Sequence, residues 1–287
     1  MNSARNSIRI EVEAADCSII QARPNHSLPK NGERIMALMK TSNPALGENT
    51  FRNLSGGGYG GMVDAANRMS LNGTVNKTGI LLVCAIATAA WTWHMFLETR
   101  DFSDVAPLMI GGMLGGFVFA MITVFKKEWA PVTAPIYALL EGLVLGGLSS
   151  LLEVRYPGIA IEAVSLTFGT LFVLLLAYRS GLIKVTQKFR LGVVAATGGI
   201  FFFYLAQMLL GFVGIQFASI NGSGLMGIGF SLIVVAVAAL NLVLDFDFIE
   251  QGVQMGAPKY MEWYGAFGIM VTLVWLYIEI LRLLAKM

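Results

Sequence analysis

Charge is scarce in this sequence. Only 13% of its 287 residues are Asp, Glu, Lys or Arg, about half the roughly 25% of an average soluble chain. A soluble fold of this size would lack the polar surface it needs. The charge present is not of one sign either: 20 Lys and Arg against 18 Asp and Glu leave a net +2, which excludes a nucleic-acid binder driven by bulk charge. Two cysteines, Cys17 and Cys84, exclude a disulfide framework, and Cys84 in its apolar run reads as a small hydrophobe. Two histidines, His26 and His94, exclude a multi-His zinc centre. They also leave Gly147-Leu148-Ser149 without a base at matching depth, so intramembrane serine hydrolysis is rejected. Asp245 and Asp247 lie on one segment, whereas a di-aspartyl protease wants one acid on each of two. The last apolar segment has no mid-span Lys for a retinal Schiff base. The expectation is a protein that is not an enzyme and needs no cofactor.

What is abundant is apolar: 56% of the residues are hydrophobic. Residues 1–77 hold nine Lys or Arg and six Asp or Glu, with many Asn, Ser and Gly and no long apolar run. They read as a polar, disordered cytoplasmic tail without a cleavable signal sequence. Ser55-Gly56-Gly57-Gly58-Tyr59-Gly60-Gly61 is a flexible tether; no Lys-Ser/Thr follows it, so it is not a phosphate loop. Residues 1–38 look arbitrary beside the rest, which makes Met36 and Met39 candidate starts. From residue 78 onward come seven apolar stretches: 78–97, 105–125, 132–152, 158–178, 191–214, 224–249 and 262–285. Each is near or above the roughly 20 residues that cross a hydrocarbon core, and lipid obliges each to be helical. The fold class is therefore all-α, a polytopic membrane protein with seven transmembrane helices over residues 78–287.

The connections orient the chain. Arg68, Lys77, Lys126, Lys127, Arg179, Lys184, Lys188, Arg190 and Lys259 fall on the tail's side. Arg100, Arg155, Arg282 and Lys286 fall on the other. Nine against four sets the N-terminus in the cytoplasm and the C-terminus outside by the positive-inside rule.

The ionisable residues singled out within the spans are Glu141, Glu162, Asp245, Asp247 and Glu279, all acidic; Arg282 lies in the last turn. An intramembrane carboxylate costs at least ~2.5 kcal/mol, so it pairs, protonates or faces water. A wholly acidic set suits protons or cations. Glu141 lies roughly 14 Å into the third span, and reads either as a protonated group bonded to a neighbouring helix or as a pore or proton site. Asp245 and Asp247 point some 160–200° apart at 100° per residue. Asn241 shares the face of Asp245, and Glu250 that of Asp247. Asp245 and Asp247 are either interfacial or half-buried, and in the second case they titrate as a coupled pair. Lys126 and Lys127 are the nearest cations in depth; either one of them pairs with Asp247 or Glu250, or they snorkel to the lipid headgroups. Glu279 and Arg282 make a local ion pair, and Glu162 is interfacial. His94 and Glu98, four residues apart, are too few to define a metal site. Gly111, Gly112, Gly115 and Gly116 in the second span, with Gly142 and Gly146 in the third, let helices approach closely.

Leu244-Asp245-Phe246-Asp247-Phe248-Ile249-Glu250 and Leu276-Tyr277-Ile278-Glu279-Ile280-Leu281-Arg282-Leu283-Leu284, with Ser42-Asn43-Pro44-Ala45-Leu46 and Asn49-Thr50-Phe51 in the tail, resemble a bacterial member of the Bax inhibitor-1/YccA (TMBIM) family. The resemblance covers roughly residues 40–287. It implies seven helices with the last one central, a location in the cell inner membrane, and a pH-sensitive calcium leak. In such a leak an acid ending the sixth helix pairs with one in the seventh as proton sensor. Asp247 matches the first acid by its Asp-Phe-Ile context; the second position falls on Thr272, which cannot titrate. The family's basic partner in the second helix is also missing unless Lys126 or Lys127 substitutes, so Asp245, Glu250 or Glu141 would replace the missing acid. The conducting route would pass Glu141 and be gated near Asp245 and Asp247. The resemblance implies a second role of a different kind, regulation of a membrane-anchored AAA protease through the tail. The expected partners are the lipid bilayer with calcium ions or that protease, and no nucleic acid.

Overall fold

A computed structural model of the chain describes residues 67–212 and 222–287. The chain divides into two units, Met1–Leu38 and Met39–Met287, and every described residue belongs to the second. The tail up to residue 66, its tether at 55–61, the candidate starts Met36 and Met39 and the tail portion of the resemblance lie outside the described residues.

The seven apolar stretches are seven helices: α1 Leu71–Thr99, α2 Phe102–Phe125, α3 Ala130–Arg155, α4 Ile159–Arg179, α5 Gln187–Phe212, α6 Leu225–Gln254 and α7 Met261–Leu284. A single 3₁₀ turn, Lys127–Trp129, leads into α3. All seven are long and apolar enough to cross a membrane. Among the described residues there is no strand, only an isolated bridge between Arg68 and Pro258. Short connections make successive helices antiparallel. The α2–α3, α4–α5 and α6–α7 connections, with Lys126, Lys184 and Lys259 among their residues, share what we term the basic face. The α1–α2 and α3–α4 turns share the far face.

Three boundaries differ from the hydropathy reading by four residues or more: the starts of α1 and α5 and the end of α6. α1 starts at Leu71, because the Ser70 hydroxyl accepts the Gly73 N–H at 3.0 Å as an N-cap and so satisfies one of the free donors of the first turn. α6 runs on to Gln254, ending just before Gly256, whose φ of 67° is a left-handed turn that glycine adopts without strain. Asp245 therefore lies deeper in its helix than the apolar run alone suggests.

α7 is the central helix. The most apolar stretch of α7 is 61% buried, against 11% for α5 and 17% for α2, and it packs against α6, α1, α4 and α3. Tyr264, Phe267, Met270, Leu276 and Leu281 are all fully enclosed, the all-round burial expected of a core helix. Lipid is as apolar as leucine, so helix association depends on close fit rather than on the hydrophobic effect. The fit is closest between α1 and α3, where a side chain at Gly142 or Gly146 would fall on the carbonyls of Ala85 and Ala89. Thr88 adds a hydrogen bond to the Leu139 carbonyl at 2.8 Å. On the other side of α3, Gly112 of α2 meets the Leu140 carbonyl. The glycine faces thus pack helices as read from the sequence, except Gly111, which faces open space.

Candidate functional site

α6 is buried on nearly its whole circumference from Asn241 to Ile249, and its polar side chains in this stretch leave in different directions. Asp245 has no exposed surface and Thr272 on α7 is 3% exposed. The Thr272 hydroxyl donates to the Asp245 carboxylate at 2.6 Å. Thr272 is eleven residues into α7, roughly 16 Å at 1.5 Å per residue, so this contact sits near mid-depth. One turn earlier on α6, the Asn241 amide donates to Thr197 on α5 and to the Val237 carbonyl, both at 2.8 Å.

Asp247 points away from α7, as the angular argument requires. It pairs with Arg190 at the start of α5 and accepts from Gln251 at 2.6 Å. Glu250 accepts the Tyr178 hydroxyl from the end of α4 and, more weakly, the Gln254 amide at 3.4 Å. These contacts gather where α4, α5 and α6 meet at the basic face.

The expected cation partners are corrected. Lys126 lies over the Trp129 ring and Lys127 over the Tyr264 ring, at 5.1 and 5.8 Å from the centroids. The α2–α3 connection abuts the start of α7, whereas the end of α6 faces α4 and α5. Arg190 takes the role instead. The hydropathy reading assigned Arg190 to a connection, but α5 begins at Gln187, which puts Arg190 on a helical turn that folds inward. Its side chain is 6% exposed, and its Nη1 has no hydrogen-bond partner among the described residues. The second correction concerns Asp247: it is Asp245, not Asp247, that faces Thr272.

Glu141 is not part of this group. It is half-buried on α3 and faces Gly116 on α2, with Tyr137 beside it one turn earlier. That is a peripheral helix interface, not the α6–α7 interface of Asp245. Glu279, 2% exposed, forms the expected pair with Arg282 at 3.1 Å. The pair is part of a closed triad, because the Tyr204 hydroxyl of α5 reaches both Glu279 oxygens at 3.1 Å and also accepts from Arg282. Glu162 is exposed at the start of α4. His94 and Glu98 pair at 3.5 Å on an exposed edge, and no group of three metal-ligating side chains exists among the described residues.

Sequence reasoning missed Glu262, 1% exposed in the first turn of α7. It accepts from the Ser70 N–H at 2.9 Å, the Ser70 hydroxyl at 2.8 Å and the Lys77 ammonium. Backbone bonds from Met69 to the Ala257 carbonyl and from Lys259 to the Asn67 carbonyl, at 2.7 and 2.9 Å, extend the attachment. Residues 67–70 are thereby fastened to the α6–α7 connection. No local signal predicts this, since the partners are 185 and 192 residues apart.

Two features are thus established: seven membrane-crossing helices around α7, and acids of α6 answered by Thr272, Arg190 and Tyr178. The family model described as Bax inhibitor 1 like matches residues 23–287. Comparison with curated proteins and with solved structures finds no match. The chain is a multi-pass membrane protein that belongs to the Bax inhibitor-1-like family.

Proposed function

We propose that this protein is a pH-sensitive cation leak, with calcium as the permeant ion, gated where α6 meets α7. On this reading it lies in the cell inner membrane with its N-terminus in the cytoplasm. The observation that carries the proposal is Asp245: a fully enclosed carboxylate near mid-depth, joined to the central helix through the Thr272 hydroxyl. A carboxylate there is costly to insert, and such residues are retained for ion and proton handling. The family adds support, since its sensor is an acid of the sixth helix facing the seventh. The sensor role passes from Asp247 to Asp245, because Asp245 is the acid opposite Thr272. Asp247, neutralised by Arg190, becomes a fastener between α5 and α6. Glu141 lies outside this gate.

The test is calcium entry into liposomes holding the purified protein, measured across a pH series. Asp245→Asn is expected to remove the pH dependence. Thr272→Asp, which restores a second acid, is expected to steepen it, because two carboxylates at one contact repel when both are charged. A wild-type pH profile from Asp245→Asn would overturn the gate, and no flux from any variant would overturn the leak.

A second reading is a membrane regulator that transports nothing and binds a membrane-anchored AAA protease through the tail. The fastening of residues 67–70 to the α6–α7 connection favours it, since a partner pulling on the tail would act on α7. Deleting residues 1–66 separates the two. Flux that survives favours the leak; loss of protease co-purification without any flux favours the regulator.

A further inference from the structure

α1 and α4 both pack on α7 but scarcely on each other. Between them is an apolar cavity of about 560 Å³. Its lips are exposed, with Ile86 on α1 at 55% and Val164 on α4 at 41%, while its floor on α7, Leu273 and Tyr277, is buried. It therefore opens sideways, into the hydrocarbon that surrounds a membrane-crossing bundle. We propose that this groove is a binding site for one acyl chain of a bilayer phospholipid, inserted laterally between α1 and α4 to rest on α7.

Shape selects the occupant. Along α1 the lining runs from Leu82 to Leu97, roughly 22 Å at 1.5 Å per residue. Spread over that length, the volume is that of a long, narrow groove rather than a compact pocket. That shape suits a single extended hydrocarbon chain. Wall chemistry selects it too. Pockets for compact polar ligands present a few convergent polar groups. Inward of Trp93 the polar wall atoms are already occupied. Ser149 and Tyr277 bond each other at 2.7 Å, and Thr167 donates to the Ala163 carbonyl at 2.7 Å. Nothing is left to orient an amide or a carboxylate along the groove. The polar edge is at the far face, where Trp93 and His94 line the mouth and His94 pairs with Glu98. A headgroup would sit at that level, with the chain running inward from it.

The groove also bears on α7 from a defined side. At 100° per residue, Met270, Leu273, Val274 and Tyr277 share one face of α7, and Thr272 points from the opposite one. The chain would therefore support α7 from behind the Asp245–Thr272 contact. Binding itself does not depend on that contact having any role in transport.

The test uses the full chain in phospholipid vesicles carrying a trace of phosphatidylcholine with a photoactivatable diazirine midway along one acyl chain. Peptide mapping after illumination is expected to find label on α7 around Leu273–Tyr277, a face shielded from bulk lipid, as well as on the lips. Val164→Trp and, on the opposite lip, Ile86→Trp fill the groove from exposed positions, and each is expected to reduce α7 labelling severalfold. Phe172→Trp, exposed on α4 outside the lining, is expected to leave it unchanged. Absence of label on α7 would overturn the proposal, as would labelling that survives both filling variants. Labelling by a diazirine fatty acid but not by the phospholipid would overturn the choice of ligand.

Discussion

Replacing Glu262 by alanine tests whether α7 is pinned at its first turn. The carboxylate accepts from the Ser70 N–H, the Ser70 hydroxyl and the Lys77 ammonium. Hydrogen bonds to a charged group contribute about 1.5–3 kcal/mol each in mutational series, but the three share one acceptor and do not add. The cluster also stands at the membrane face, where the Lys77 side chain keeps 18% of its exposure, and water reduces the ionic part. Removing one partner of a buried pair costs about 3–5 kcal/mol; the partial exposure here argues for the lower end. We therefore expect Glu262→Ala to lose about 3 kcal/mol of unfolding free energy. Glu262→Gln should lose about 1–2 kcal/mol, because its carbonyl still accepts from Ser70 while its NH₂ opposes Lys77. Lys77→Met should lose about 2–3 kcal/mol, because it leaves the buried Glu262 charge without its cation while both Ser70 bonds remain.

The measurement is reversible unfolding of the bicelle-reconstituted protein in SDS, paired with hydrogen exchange at residues 67–70. Glu262→Ala should raise exchange at the Met69 and Ser70 amides, whose acceptors are the Ala257 carbonyl and Glu262. Unfolding within about 0.5 kcal/mol of wild type, the range of an unremarkable surface change, with exchange unchanged, would refute the pinning.

Gly142→Leu and Gly146→Leu should abolish a monodisperse peak in size-exclusion chromatography, because the new side chain meets the α1 backbone and overpacking against backbone cannot relax; Gly111→Leu, with open space around it, should behave as wild type. Arg190→Met should destabilise the bundle by about 3 kcal/mol, leaving Asp247 without its cation, and Arg190→Met with Asp247→Asn should recover most of that loss in the same unfolding assay. Asp101 caps α2 by accepting the Ser103 N–H at 2.8 Å, which holds its carboxyl below the ordinary value. The cap should therefore persist above the ordinary carboxylate pKa of about 3.9 and be lost as pH falls through the lowered folded value. Protection of the Ser103 amide should follow that course, and Asp101→Asn should flatten it.

The span count and the sites of close helix approach were legible because composition and glycine spacing act locally. So were the divergence of Asp245 from Asp247 and the Glu279–Arg282 pair, which follow from 100° per residue along one helix. Partners between helices were not. Lys126 and Lys127 are close to Asp247 in depth, but depth does not say which helices adjoin. Arg190 was hidden by a boundary error of a few residues, since a turn of polar helix before an apolar run looks like a loop to any hydropathy window. Glu262 and Tyr204 were hidden by sequence distance. Polar residues at helix ends read as interfacial until a neighbour is known, and only tertiary packing supplies the neighbour.

The arrangement around α7 joins these observations mechanically. Near the basic face Glu262 holds it to Ser70 and Lys77. Towards the far face Glu279 and Arg282 hold it to Tyr204. Both clusters include a full cation–carboxylate pair. Between them, Thr272 meets Asp245 on one side and the lateral groove lies on the other. A helix packed at crystal-like density shifts as a body rather than deforming locally, so a displacement that lengthens the Asp245–Thr272 contact presses α7 toward the groove. A chain seated in the groove opposes that displacement, and an empty groove permits it. A bound ligand shifts such an equilibrium only by its difference in affinity between the two positions. Lipid occupancy and the charge on Asp245 would then act on one coordinate from opposite faces of the same helix, and the clusters at its two ends would resist that shift.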